Sequence, residues 1–256
     1  MATKTFESFI PNISPSVPGC PQPLMIQHIR DAAIRACERT LFWRYQIPLF
    51  NLLPGVHEYL YDVPSDTKVH ALFDAMMNDN PLHRLTFEQA LERYPEWADL
   101  YSGQDPSVLW SLTPPGTLNS YQYNTTLFNG GSSFVLPDSV VANGGQPRVI
   151  TQLTPEKFIV LPLPDGDDTY RMRIFVALKP TRDATGMDEV VFNELEDAIM
   201  HGALQQLLVL PEKNWSDREL ASYHAKQFVY HLADRRARIN LGNMRGSMSV
   251  RMQPFA

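Results

Sequence analysis

The chain has 256 residues, a formal net charge of −6 and a 44% share of hydrophobic residues, which is the composition of a globular protein with a sizeable core. No apolar run approaches the roughly 18 residues that a membrane-spanning helix needs, so we expect no membrane segment and no membrane partner. The N-terminal stretch lacks the basic region followed by an apolar segment that is typical of a signal peptide. We therefore expect a protein that is not secreted, in which Cys20 and Cys37 are reduced thiols.

Charge is distributed unevenly along the chain. From Ser216 onwards there are seven basic and three acidic side chains, whereas the remainder carries 15 basic and 25 acidic ones. An acidic body with a basic C-terminal end predicts contact through that end with an acidic protein surface or with nucleic acid. A solvated helix face followed by a frayed terminus is the alternative interpretation.

The N-terminal residues 1–23 form a predicted arm. They contain five prolines, whose missing amide and fixed φ disfavour a helix, so the sequence predicts extended chain here. Four apolar side chains on the arm, Phe6, Phe9, Ile10 and Ile13, need to be covered from solvent. They predict docking either on the chain's own body or on a neighbouring subunit, and we assign them to contact with a neighbouring subunit.

Beyond the arm, residues 24–43 have apolar side chains at helical spacing and predict a helix. Residues 44–180 then change to short segments rich in β-branched and aromatic residues. The predicted strands are 56–63, 67–77, 157–163 and 169–178. Within this region Thr86 and Gln89 have the spacing of a capping box, which predicts a short helix.

Helical spacing returns at residues 188–210, and a further predicted helix ends near Asn240. Gly202, inside the first of these helices, suggests a close helix crossing, and a glycine that the helix merely tolerates is the equal alternative. Two helices joined by a short capped corner pack as an antiparallel hairpin.

The corner between these helices is heavily marked in the sequence. Pro211 ends the first helix because proline lacks the amide that the helix needs. Ser216 and Glu219 have the spacing of a capping box that begins the second helix, and Trp215 and Leu220 have that of a hydrophobic staple. We predict that these five residues fix the angle of the corner.

The predicted fold class is α+β. A helical bundle, made of residues 24–43 and 188–241, carries an inserted β-rich subdomain at residues 44–180. The extended arm of residues 1–23 precedes the bundle, and an extended C-terminal tail of residues 242–256 follows it.

No catalytic constellation is evident. The stretch GGSSF at residues 130–134 lacks the second glycine of a nucleophile elbow, and there is no phosphate-binding or dinucleotide-binding glycine motif. His224 and His231 lie two turns apart on a predicted helix, but the ligand spacing of a zinc site is absent. We expect no enzymatic activity, no cofactor and no metal.

Three stretches resemble the head-to-tail adaptor (head–tail connector) proteins of tailed bacteriophages. They are PGCPQPLMIQHIRDAAIRACERTLFWRY, LPLPDGDDTYRMRIFVALKPTRDA and LEDAIMHGALQQLLVLPEKNWSDRELASYHAKQF. The resemblance implies a structural virion protein that forms a ring, commonly dodecameric, joins the portal to the tail and continues the DNA channel. It implies three partners, the portal protein, a tail or nozzle protein and identical subunits, with non-specific contact to channel DNA. The expected location is the virion neck, after synthesis in the host cytoplasm.

The C-terminal tail combines adaptable apolar side chains with arginines that bind carboxylates. The residues concerned are Met244, Arg245, Met248, Val250, Arg251, Met252 and Phe255. Such a composition suits a segment that folds onto a partner, and we assign these residues to the portal; a disordered end and contact with DNA are the alternatives. Two other functions stay open, a tail-completion or neck protein that contacts only the tail side, and a cytoplasmic hydrolase with an unrecognised site.

Overall fold

The structure is a computed structural model, and it describes residues 3–56, 58–94, 145–165 and 169–240. The chain divides into two compact units. Unit 1 comprises Met1–Trp43 and Leu178–Ala256, and unit 2 comprises Arg44–Ala177. Helices and several sheets are both present, so the predicted α+β class is confirmed.

The helices of the described residues are α1 (Ile10–Ile13), α2 (Gln22–Thr40), α3 (Phe87–Arg93), α4 (Glu189–Glu194), α5 (Glu196–Val209) and α6 (Arg218–Asn240). The strands are β1 (Thr3–Thr5), β2 (Arg44–Gln46), β3 (Phe50–Asn51), β4 (Glu58–Leu60), β5 (Thr67–Met77), β6 (Asn80–Pro81), β7 (His83–Arg84), β8 (Val149–Thr154), β9 (Lys157–Leu161), β10 (Arg171–Pro180) and β11 (Gly186–Asp188). Two short 3₁₀ turns, Phe6–Phe9 and Ser14–Ser16, flank α1.

The core of unit 1 is formed by α2, α5 and α6, which pack against one another. On α2 the buried side chains recur three or four residues apart, as at Met25, Ile29 and Ala33, because that spacing aligns them on one face of the helix. The helix ends at Thr40, since Leu41 adopts a left-handed conformation (φ 54°) in which its amide donates to the Cys37 carbonyl. The predicted helix of residues 24–43 is therefore confirmed, and it lies two to three residues earlier than expected.

Gly202 marks the closest approach within this bundle. A β-carbon added to Gly202 would lie 2.9 Å from the Phe228 ring of α6 and 3.1 Å from the β-carbon of Ala32 on α2. Both distances are shorter than ordinary van der Waals contact. The predicted close helix crossing is confirmed, and glycine is needed there because no room is left for a side chain.

The predicted single helix at residues 188–210 is two helices, α4 and α5, which meet at Leu195. Leu195 has non-helical dihedral angles (φ −102°, ψ 8°), and its side chain is fully buried. Asp188 caps the start of α4 by accepting hydrogen bonds from the amides of Val190 (3.0 Å) and Val191 (3.3 Å). The prediction of one continuous helix was wrong, because periodicity alone does not detect a break at an apolar residue.

The prediction of an extended arm was also wrong for most of its length. Among the described residues of the arm, β1 is the strand, and it pairs antiparallel with β11, so that Lys4 lies opposite Met187. Helical turns follow, and Pro11 occupies the first turn of α1. Proline is compatible with a helix there, because the amides of the first turn have no partner inside the helix.

The described residues of unit 2 form two sheets. One has the strand order β2-β10-β5-β6, with β3 also pairing β10, and the other has the order β4-β9-β8-β7. The strands β7 and β8 are parallel, whereas β8 and β9 are antiparallel. The predicted strand 67–77 is β5 with the same bounds, and the other three predicted strands are present with shifted ends as β4, β9 and β10.

The short helix α3 packs against β8 in unit 2. The Gln89 amide donates to the Thr86 hydroxyl at 3.2 Å, and the Gln89 side-chain oxygen accepts from the Thr86 amide at 3.1 Å. The predicted capping box is confirmed. It orients α3 so that Ala90 is buried against Val149 and Leu153.

Candidate assembly interface

The corner between α5 and α6 begins α6 at a different residue from the predicted one. The Asp217 carboxylate accepts hydrogen bonds from the amides of Glu219 and Leu220, both at 2.9 Å. These are the second and third residues of α6, so Asp217 is its N-cap. The capping box predicted for Ser216 and Glu219 was wrong by one residue, because a carboxylate in the next position is an equally good acceptor and carries a charge that the helix N-terminus attracts.

Ser216 instead holds the corner against the end of α5. Its hydroxyl donates to the Leu208 carbonyl at 3.3 Å, and the Asp217 amide donates to the same carbonyl at 3.1 Å. Trp215 is half-buried, whereas Leu220 is 38% exposed. The sharp turn around Pro211 is thus fixed by hydrogen bonds to a carbonyl that α5 leaves without a helical partner.

Asp217→Ala is expected to lower the free energy of unfolding by about 1 kcal/mol, since the first turn of α6 loses its cap. Ser216→Ala removes only one long hydrogen bond and is expected to cost less than the Asp217 change. Urea denaturation of both variants measures the difference. A larger loss for Ser216→Ala would show that the cap lies at the predicted position after all.

The apolar side chains of the arm are covered by the arm's own unit. Phe6, Phe9 and Ile13 are fully buried and Ile10 is half-buried. The Phe9 ring meets the Phe192 ring of α4 edge-on, with centroids 4.8 Å apart. Of the two docking sites considered from sequence, the structure shows the one on the chain's own body, and contact with a neighbouring subunit stays a prediction.

Polar contacts hold the arm at the same place. The Lys4 ammonium donates to the Asn193 side chain at 3.1 Å and lies 4.6 Å from the centre of the Phe192 ring. The Asn12 amide donates to Glu196 at 3.3 Å. At Gly186 a β-carbon would lie 2.4 Å from the Lys4 carbonyl oxygen, so β1 and β11 approach more closely than a side chain permits.

A cluster of three histidines lies between α5 and α6. The Nδ1 atoms of His201 and His224 are 2.7 Å apart, and the His201 and His231 rings are stacked with centroids 5.3 Å apart. Tyr223 and Tyr230 pack edge-on against His224 and His231, respectively. The spacing of His224 and His231 in the sequence placed these two histidines on one helix face, but sequence reasoning missed His201. Aligning the two predicted helices as an antiparallel hairpin would have placed His201 beside the other two.

The contact between His201 and His224 favours the uncharged form of these two rings. A hydrogen bond between two Nδ1 atoms needs one donor and one acceptor, so it is lost when both rings are protonated. Burial lowers the pKa of His224, and burial followed by repulsion from His224 and His231 lowers the pKa of His201, against an opposing effect of Asp197. Among the described residues, no group of three or more His, Cys, Asp or Glu side chains is placed to hold a metal ion.

Acidification is expected to destabilise unit 1 through this cluster. Because the pKa values of His201 and His224 are lowered on folding, their contribution to stability is present above the unfolded value of about 6.5 and is lost as the pH falls below it. Thermal unfolding between pH 7.5 and 5 measures this loss. The double variant His201→Gln, His224→Gln is expected to show a shallower decline than the wild type, and a variant at the exposed His83 is the control. Equal declines in all three proteins would contradict the prediction.

The tail residues assigned to the portal lie outside the described residues. The basic character predicted for this end of the chain begins within α6, which has five basic side chains and two acidic ones. Arg235 forms an ion pair with Glu194, and Arg238 with Asp234. None of the helices described is both long and apolar enough to cross a membrane.

Comparisons with known proteins place the chain in one family. A search of curated proteins found no match. The family model described as SU10 adaptor protein matches residues 14–253, which is nearly the whole chain. The match includes the end of the arm, all three helices of the bundle core and both sheets of unit 2. The chain therefore belongs to the SU10 adaptor protein family, a family of bacteriophage head–tail adaptors.

Proposed function

We propose that this protein forms a ring, dodecameric as the resemblance implies, that joins the portal to the tail in the virion neck and continues the DNA channel. The observation that carries the proposal is the family match over residues 14–253. A structural role as a phage adaptor follows from the family. The ring, the portal as partner and the channel are our inference.

The packing of unit 1 supports a subunit that folds before it assembles. The arm covers its own apolar side chains, and the corner is fixed by the hydrogen bonds of Ser216 and Asp217. A subunit whose internal angles are fixed in this way presents the same surfaces in every copy, as a closed ring requires. The tail that follows α6 then provides the contact with the portal, through its apolar and arginine side chains.

The test compares the full chain with a variant ending at residue 241, each with and without the purified portal protein of the same phage. We expect the full chain to be a monomer or weak oligomer alone and to form a ring on the portal, as light scattering and negative-stain microscopy would show. The truncated variant is expected to melt within about 1 °C of the full chain, because residues outside a core add little stability, and to lose portal binding.

Three outcomes would count against parts of the proposal. A stable ring formed by the chain alone would show that the portal is not needed for ring formation. Full portal binding by the truncated variant would remove the tail as the contact. Binding to the tail protein but never to the portal would favour a tail-completion or neck protein that contacts only the tail side.

A further inference from the structure

One row of exposed side chains along α6 has a regular pattern. Tyr223, Lys226, Tyr230, Ala233 and Ala237 recur at alternating intervals of three and four residues, and all five are exposed. We call these five residues the outer face of α6. This spacing keeps residues in line along about four turns of a helix and is the pattern with which helices pack on a second element.

Two tyrosines dominate the outer face. Tyr223 is 52% exposed and Tyr230 is 66% exposed. Each ring packs edge-on against the ring of the histidine that follows it, His224 and His231 respectively. Tyrosines held in this way lose little conformational freedom on binding, which is one reason why aromatic residues are enriched in protein interfaces. Val229 is 55% exposed beside them and extends the apolar area.

An exposed segment of unit 1 has the opposite charge. Residues 183–197 contain six carboxylates and no basic side chain. Their exposed members Asp183, Glu189, Glu194 and Asp197 lie in the segment that also holds Val190, which is 68% exposed. We call Val190 and these four carboxylates the acidic face.

Most of the charges on the two surfaces have no ion-pair partner among the described residues. Lys226 on the outer face and Arg236 beside it form no ion pair with any of the described residues. Within the same described ranges, Asp183, Glu189 and Asp197 form none either. Each surface therefore combines exposed apolar side chains with charges of one sign, all without an ion-pair partner among the described residues except Glu194, which pairs with Arg235. The two signs are complementary.

We propose that the outer face of α6 in one copy binds the acidic face of a second copy, so that Tyr223 and Tyr230 cover Val190 while Lys226 and Arg236 pair with Glu189 and Asp197. The contact uses two different surfaces of the same chain, and such a head-to-tail contact repeats from copy to copy and closes into a ring when the rotation permits. The inference rests on the proposed ring and names the surfaces that form it.

The experiment uses single-cysteine additions and a short bis-maleimide cross-linker. The chain carrying Tyr230→Cys is mixed with the chain carrying Val190→Cys, with and without portal. Both native thiols are buried, and burial raises the pKa of Cys37 to about 12, so they react slowly. The control pairs Tyr230→Cys with Leu60→Cys, a side chain that is 70% exposed in unit 2.

We expect the Tyr230–Val190 mixture to yield about tenfold more cross-linked dimer than the control, an effect that decreases at high salt because opposite charges guide the encounter. A double charge reversal on either surface, Lys226→Glu with Arg236→Glu or Glu189→Lys with Asp197→Lys, is expected to abolish the excess. Mixing the chain with the reversed outer face and the chain with the reversed acidic face is expected to restore the excess of cross-linked dimer. The two reversed surfaces again have opposite charges.

Two results would overturn the inference. One is a cross-linking yield no higher than the control, in solution and on the portal. The other is a faster reaction of the Tyr230→Cys chain with itself, which would indicate that two outer faces pair with each other. If the portal still binds a ring of the chain in either case, the proposed function stands and only the assignment of the surfaces fails.

Discussion

Phe9→Ala is expected to lower the free energy of unfolding of the protein by about 3 to 5 kcal/mol, the largest loss that we expect from a single substitution. The Phe9 side chain is 1% exposed and meets Phe192 edge-on. Truncation removes the buried ring, leaves a cavity that the short arm cannot close, and abolishes the aromatic pair. Because the contact with Phe192 is one of those that hold the arm on α4, the attachment of the arm there is expected to loosen as well.

Chemical denaturation measures the loss, and Glu7→Ala is the matched control, because Glu7 lies exposed in the same 3₁₀ turn. A double-mutant cycle with Phe192→Ala isolates the contact between the two rings. Limited proteolysis reports whether the arm has been released. A loss below about 1 kcal/mol would mean that Phe9 is not buried on its own chain in solution, and would favour the docking on a neighbouring subunit that we predicted from sequence.

Gly202→Leu is expected to destabilise the protein by about 3 kcal/mol, because the added side chain has no room where α2, α5 and α6 meet. Even the first carbon of that side chain would lie 2.9 Å from the Phe228 ring and 3.1 Å from the Ala32 side chain. The helices must separate to admit it, and the buried contacts on both sides are then weakened. Gly202→Ala is expected to cost less, because it adds only that first carbon, and a gain of about 1 kcal/mol in helix propensity over glycine offsets part of the clash.

Thermal and urea unfolding measure both variants, and Val209→Leu, at an exposed position of the same helix, is the control. Adding Phe228→Leu to Gly202→Ala is expected to recover part of the loss, because the ring is the nearest obstacle. If Gly202→Leu were as stable as the wild type, the three helices would not meet as closely as the structure shows.

The sequence by itself determined the features that depend on neighbouring residues. The capping box of Thr86 and Gln89 needs only two side chains three residues apart. The eleven residues of β5 are bounded by turn residues on both sides, so the ends of that strand could be predicted. The amphipathic spacing of α2 and α6 depends on the helix period alone, and it was also sufficient to predict a bundle.

Only the tertiary structure decided the features that depend on residues far apart in the chain. The arm forms helical turns because Phe9 and Ile13 find a buried site on unit 1, and that gain outweighs the local preference of its prolines for extended chain. The cap of α6 falls on Asp217 because Ser216 is drawn to the Leu208 carbonyl at the end of α5. His201 joins His224 from the facing helix, 23 residues away. In each case a long-range contact chose among local conformations of nearly equal energy, and local sequence signals contain no information about that contact.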